Sequence, residues 1–175
     1  RYASLIQKGE PIVVRDEKTA SGKVHVGSLR SASLHAIVAD VLKSRGHKVK
    51  FLFEINDFDP MDGIPSYLDA SVYEKYMGVP LCNIPSPEAG YENMAELYGQ
   101  EYVKVLEGIG FGAEVYRASE LYRSGRMNEM IRKALDRHAA VREIYFRISR
   151  SEKPEGWYPF NVICQNCGNL SATNI

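Results

Sequence analysis

The apolar positions first gather in a short β-branched run, "PIVVRD" (11–16), bounded by proline and by charge, which predicts a buried strand. Beyond a glycine-rich turn, Leu34, Ile37, Val38, Val41 and Leu42 recur at helical spacing. Gly46 then stands where a left-handed C-cap residue belongs. "KVKFLFEI" (48–55) is too apolar to face water on either side, so it predicts a second, covered strand. Strand, helix and strand in this order form a βαβ unit, and hence a parallel sheet. Further on, "MGVPLCNIPSPEAGYE" reads as a loop, and residues 93–111 as an amphipathic helix closed by Gly108 or Gly110. Residues 113–119 are a third strand candidate. From Glu120 to about Ser149, the positions Met127, Ile131, Leu135, His138, Val141, Tyr145 and Ile148 keep a helical stripe, in one long helix or two. His138 within that stripe reads as a packed core or boundary residue. There is no internal repeat.

Composition adds bounds to this α/β pattern. With 45% hydrophobic and 25% charged residues, the 175-residue chain can build a core. No apolar run approaches the roughly 20 residues that span a bilayer, and the start has no signal-type hydrophobic region, so the expectation is a cytoplasmic protein without membrane contact. It begins without Met and stops without terminating logic, which predicts a fragment of a longer chain. The net charge is zero but segregated. Glu54 to Glu107 holds eleven acidic residues against Lys75 and Lys104. Arg117 to Arg150 holds nine basic residues against four acidic ones, either a solvated face or a strip suited to a phosphate backbone. Three cysteines, with one close pair, do not make a disulfide framework.

Chemistry concentrates in the turn after the first strand, "TASGKVHVGSLRSASLH" (19–35). The P-loop pattern fails here at two positions, since Val24 follows Lys23 and Glu17 replaces the first glycine. The dinucleotide fingerprint G-x-G-x-x-G is absent. What remains is S-G-x-x-H-x-G-S at a helix start, where unpaired N–H groups and partial positive charge suit an anion. Gly22 and Gly27 remove side chains where a nucleotide would lie against backbone, and His25 and Ser28 place two donors at the mouth of the helix. Such donors can meet charge developing on a phosphate as pyrophosphate leaves. Ligands of parallel sheets bind at the carboxyl ends of the strands, which sets this turn and "NDFDPMDGIP" (56–65) on one rim.

"SGKVHVGS" resembles the HIGH signature of class I aminoacyl-tRNA synthetases. Together with "EINDFDPMDGIP", "YMGVPLCNIPSP" and "WYPFNVICQNCGNLSAT", in order along essentially the whole chain, it resembles the class I lysyl-tRNA synthetases. The resemblance implies a Rossmann-like, HUP-type parallel sheet with flanking helices and the start of a small zinc-ribbon-like insertion. It implies a catalytic domain over 1–156, with a helical insertion at 64–110, and a truncated ribbon module at 157–175. The implied activity joins lysine to Mg2+-bound ATP as lysyl-adenylate and passes it to tRNA(Lys). His25, Gly27 and Ser28 then match the signature's first histidine, its glycine and its last position, and Gly22, His25, Gly27 and Ser28 form the ATP site. The family's acidic strand end appears as Asn56-Asp57-Phe58-Asp59, with Asp57, Asp59 and Glu54 as the lysine-binding candidates. Burying lysine's ammonium groups without carboxylates would be costly, although aspartates before Pro60 and Gly63 also cap turns. A cysteine- and histidine-bearing stretch found in some members reads Ser86 to Tyr91 here, so no metal is expected there, and Cys82 reads as a small hydrophobe. The KMSKS-type loop of the class is not in the chain, so the piece alone is expected to be nearly inactive.

Cys164-Gln-Asn-Cys167-Gly168 has zinc-knuckle spacing and would be half a tetrahedral site. A redox pair competes with that reading, and the resemblance implies a second pair further on. Two other functions remain open. One is a different HIGH-bearing synthetase or nucleotidyltransferase, and the other is a non-enzymatic zinc-ribbon module that binds RNA through the arginine strip.

Overall fold

The computed structural model describes residues 10–170. In chain order the elements are β1 (Ile12–Thr19), α1 (Val26–Ser44), β2 (Val49–Asn56), α2 (Ala70–Tyr73), 3-10 turns at Glu74–Tyr76 and Leu81–Asn83, α3 (Met94–Gly108), β3 (Glu114–Arg117), α4 (Ala118–Arg123), α5 (Asn128–Asp136) and α6 (His138–Ser149). They fall into two compact units. One comprises the chain up to Phe58 with Leu81–Ala118; the other comprises Asp59–Pro80 and the chain from Ser119 onward.

The first unit is a three-stranded parallel sheet in the order β1-β2-β3. α1 makes the first crossover and α3 lies in the second, as parallel neighbours require. β1 continues three residues past the expected run, through Glu17, Lys18 and Thr19, because each pairs in register with Glu54, Ile55 and Asn56 of β2. Both helices cover the same side of the sheet. Asp16 meets Ser31 and His35 of α1, and its register partner Phe53 stacks on Tyr102 of α3 with ring centroids 5.4 Å apart. The core between them holds Val14, Phe51, Phe53, Ile55, Leu97, Tyr98, Tyr102 and Leu106.

α1 begins and ends as its sequence predicts. Its C-terminus closes with Gly46 at φ +84°, the Gly46 N–H on the Lys43 carbonyl and the His47 N–H on the Leu42 carbonyl, the paired bonds of a Schellman turn. Its buried face is the reverse of the expected one. Ala32, Ala36 and Ala39 are 1–3% exposed, whereas Leu34, Ile37, Val38 and Val41 are 44–55% exposed. At 100° per residue the alanines share one face and the larger residues the opposite one. The small side chains are the ones placed against the strands.

α3 starts at Asn93, whose side chain accepts from the Glu96 N–H. The helical stripe after Glu120 is three helices. Gly125 at φ +77° separates α4 from α5, and Arg137 is at once the end of α5 and the start of α6.

In the second unit, Pro60 and Pro80 form an antiparallel bridge, with Met61 and Val79 hydrogen-bonded beside it. Residues 154–158 lie along α6. Tyr158 packs against His138 with the rings tilted and their centroids 4.3 Å apart, Trp157 meets Tyr145 edge-on at 5.6 Å, and Arg142 donates to the Pro154 carbonyl. His138 is therefore a packed boundary residue, half-buried, with Nδ1 3.0 Å from the Leu135 carbonyl oxygen. The cysteine turn is pinned by Leu170 N–H to the Gly78 carbonyl and by Asn169 Nδ2 to the Met77 carbonyl. Among the described residues, no helix is long and apolar enough to cross a membrane.

Candidate active site

β1 ends at Thr19, Ala20 is buried with its N–H on the Asn56 carbonyl, and the chain turns through Ser21 and Gly22 into α1. His25 is the N-cap, in extended conformation, and forms a capping box with Ser28. The Ser28 N–H donates to the His25 carbonyl at 2.9 Å and also approaches His25 Nδ1 at 3.3 Å, and the His25 N–H donates to Ser28 Oγ at 3.3 Å. Where Nδ1 accepts from this amide it carries no proton, which leaves Nε2–H as the ring's outward donor. His25 is exposed, and it lies at the carboxyl end of the strands. Its free ring edge is thus a donor at a helix N-terminus that has no acidic residue in its first turn.

The other residues of the signature serve this imidazole. Ser28 Oγ donates to the His25 carbonyl at 2.7 Å, so its proton is directed at the cap. Gly27 sits beneath the ring; a Cβ there would stand 3.2 Å from His25 Nδ1 and 3.3 Å from Cε1. Gly22 is half-buried within the turn.

Two neighbours escape sequence reasoning. Lys18 is on the α1 side of the sheet, like Asp16 two residues before it. Asp16 is level with Ser31 of α1. Two strand residues further, about 6.6 Å, correspond to about four residues nearer the start of the returning helix, so Lys18 is level with its first turn. Its ammonium donates to the Thr19 carbonyl at 2.8 Å and, among the described residues, meets no carboxylate. Burial pushes its pKa below the usual lysine value. Tyr102, 2% exposed, donates its hydroxyl to the Ser28 carbonyl at 2.7 Å. Motif reading sees neither residue, because their relevance comes from register and from packing across 74 residues of sequence.

The acidic candidates separate. Asp57, 2% exposed, lies just past β2, with its carbonyl accepting from the Cys82 N–H. Glu54 is on the sheet side facing away from α1 and α3, since side chains alternate along a strand. There its carboxylate pairs with Arg15 and bonds the Tyr116 hydroxyl, which burial and this bond push up to about 12. Asp59 belongs to the second unit and is half-buried.

At the cysteine turn, the Asn166 and Cys167 amides donate to the Cys164 sulfur and hold its thiol below the usual value. Gly168, at φ +73°, closes the turn with its N–H on the Cys164 carbonyl. Amides aimed at a sulfur suit a thiolate ligand, so these two residues fit half of a zinc site. Among the described residues, no three potential ligands gather to complete one.

A family model described as "tRNA synthetases class I (K)" matches residues 2–175. The chain belongs to this family. The lysine–tRNA ligase of Archaeoglobus fulgidus is 31% identical over 173 residues, 99% of this chain and 35% of that protein. That of Methanocaldococcus jannaschii is 32% identical over 164 residues, 94% of the chain and 31% of that protein. The lysine–tRNA ligase of Methanococcus maripaludis is 29% identical over 169 residues, 97% and 32%. The chain thus spans about a third of the length of these relatives. The three-stranded parallel sheet with flanking helices is consistent with a Rossmann-like class I synthetase domain, and the strand–turn–helix with His25 lies at the carboxyl end of its strands.

Proposed function

We propose that the chain is catalytic machinery of a lysine–tRNA ligase, the part that receives ATP and lysine. The lysine carboxylate attacks the α-phosphorus of Mg2+-bound ATP, pyrophosphate leaves, and lysyl-adenylate forms. The 2′-hydroxyl of the terminal adenosine of tRNA(Lys) then takes the lysyl group and AMP leaves. His25 donates Nε2–H to phosphate oxygens as their charge grows, alongside the open N–H groups of α1. Lys18 adds a positive charge at the same level. Ser28 acts first on His25, by fixing its tautomer, and reaches phosphate on releasing the His25 carbonyl. Gly27 leaves the imidazole its place, and Gly22 lets the nucleotide approach the turn.

Asp57 is the favoured partner for a lysine ammonium, being buried at a strand's carboxyl end. Asp59 remains a candidate carboxylate for a lysine ammonium, and Glu54 contributes only if lysine displaces Arg15. Cys164 and Cys167 would hold Zn2+ with ligands from elsewhere in the protein, and the metal would staple that turn. The setting is the cytoplasm, where charged tRNA is used. The chain alone, with half of the phosphate-binding groups of this class, is proposed to bind ATP weakly and not to turn over.

The observation that carries this reading is the exposed imidazole that caps the start of α1, in a chain whose family match runs from residue 2 to 175. ATP–pyrophosphate exchange by the complete gene product, with each amino acid in turn, tests it. Exchange should depend on lysine. Exchange driven by another amino acid overturns the assignment.

A further inference from the structure

Tyr102 links the sheet core to the first turn of α1 through a hydrogen bond from its hydroxyl. It is buried, its ring lies nearly parallel to Phe53 with an interplanar angle of 15°, and its hydroxyl reaches the Ser28 carbonyl oxygen. Ser28 is also the residue whose N–H and hydroxyl hold His25. A continuous set of contacts therefore runs from Phe53 in β2, through Tyr102 in α3, to Ser28 and the imidazole.

Helix termini fray, because their first N–H groups lack partners within the helix. A capping box between exposed residues is a weak restraint by itself. A bond from a buried donor in another helix is stronger in its effect, since the donor cannot turn to water without leaving the core. The carbonyl of Ser28 faces the body of the helix while its N–H faces the cap, so fixing the one orients the other. Burial, and the nearby Asp16 charge, push Tyr102 up to about 12, so the hydroxyl keeps its proton and remains a donor at any working pH.

We infer that Tyr102 is a positioning residue for the nucleotide site, its hydroxyl holding Ser28 so that His25 keeps Nδ1 as acceptor and presents Nε2–H outward. This rests on the reading of His25 as the phosphate donor. Tyr102 does not touch the reacting atoms; it acts through Ser28.

Tyr102→Phe removes one oxygen and keeps the ring on Phe53, so the core stays filled. In the complete gene product, the ring nitrogens of His25 are followed by 15N NMR, with His25→Gln identifying the signal. Lysine-dependent ATP–pyrophosphate exchange is measured well below the melting temperature. The wild type should show the Nε2–H tautomer. The variant should show a mixture of tautomers, and its kcat should fall about tenfold, the rate equivalent of one hydrogen bond, with the KM for lysine unchanged. Unaltered nitrogen shifts overturn the inference, as does a lower melting temperature with kcat and tautomer intact. If the tautomer shifts in the variant but the wild type shows no lysine-dependent exchange, the positioning role stands and the lysine-activating reading falls.

Discussion

Gly99 of α3 lies directly against Ile55 of β2, where a Cβ on the glycine would stand 3.0 Å from Ile55 Cγ2. The helix carrying Tyr102 is thus seated on the strand without a side chain between them. Alanine normally gains about 1 kcal/mol over glycine within a helix. Here the clash with a buried, β-branched neighbour outweighs it, since overpacking costs about 1–3 kcal/mol. Gly99→Ala should lower stability by about 1 kcal/mol in urea unfolding, with an unchanged m-value. A stabilised variant would mean that α3 does not sit this close.

Gly27→Ala acts on the site. Its backbone is not in the left-handed region, so alanine fits the helix, but the methyl group meets the His25 ring at 3.2 Å. The ring must give by a few tenths of an ångström, which shifts the donor it presents. We expect a small change in melting temperature and a fall of about tenfold or more in exchange rate, the scale of one misplaced donor. Equal loss in both quantities would assign Gly27 to folding instead.

Lys18 yields a test with opposite signs. Its pKa is lowered in the folded chain by burial, so the folded state binds this proton less tightly than the unfolded state does. The resulting destabilisation is full below the folded pKa and is relieved as pH climbs from there toward the unfolded lysine value of about 10.4. Lys18→Met should therefore raise the melting temperature at neutral pH, where the charge is present. It should also weaken ATP binding about tenfold in calorimetric titration, as loss of one charge-assisted contact implies. A variant that is more stable and binds ATP as well as before removes Lys18 from the site.

The tyrosines govern the alkaline limit. Tyr102 and Tyr116 are both pushed up to about 12, in each case chiefly by burial. Their folded pKa values exceed the unfolded value of about 10, so the stability they contribute is full below pH 10 and is lost as pH rises toward 12. Melting temperature should fall steeply across that window. In Tyr116→Phe the fall should be shallower, because the proton that Tyr116 would lose is no longer there. A slope unchanged in that variant would mean that Tyr116 ionises freely in the folded chain.

The local features of the site were legible from residues alone. Strand, turn and helix announce themselves through a β-branched run, a glycine-rich turn and a polar N-cap, all set by neighbours within a few positions. The same holds for Gly46, the helix start at Asn93 and the glycine-closed turn after Cys164, whose geometry follows from short-range hydrogen bonds. Tertiary structure alone decided which face of α1 is covered. Branched residues are the usual sign of a buried stripe, yet the sheet takes the alanines, because burial depends on how closely a partner can approach as well as on apolar area. It also decided that Glu54 is held by Arg15, that Lys18 stands level with the first turn of α1, and that Tyr102 reaches Ser28. Each of these depends on strand register or on packing between distant segments, and no periodicity in the sequence encodes a contact whose two ends are brought together only by the completed sheet.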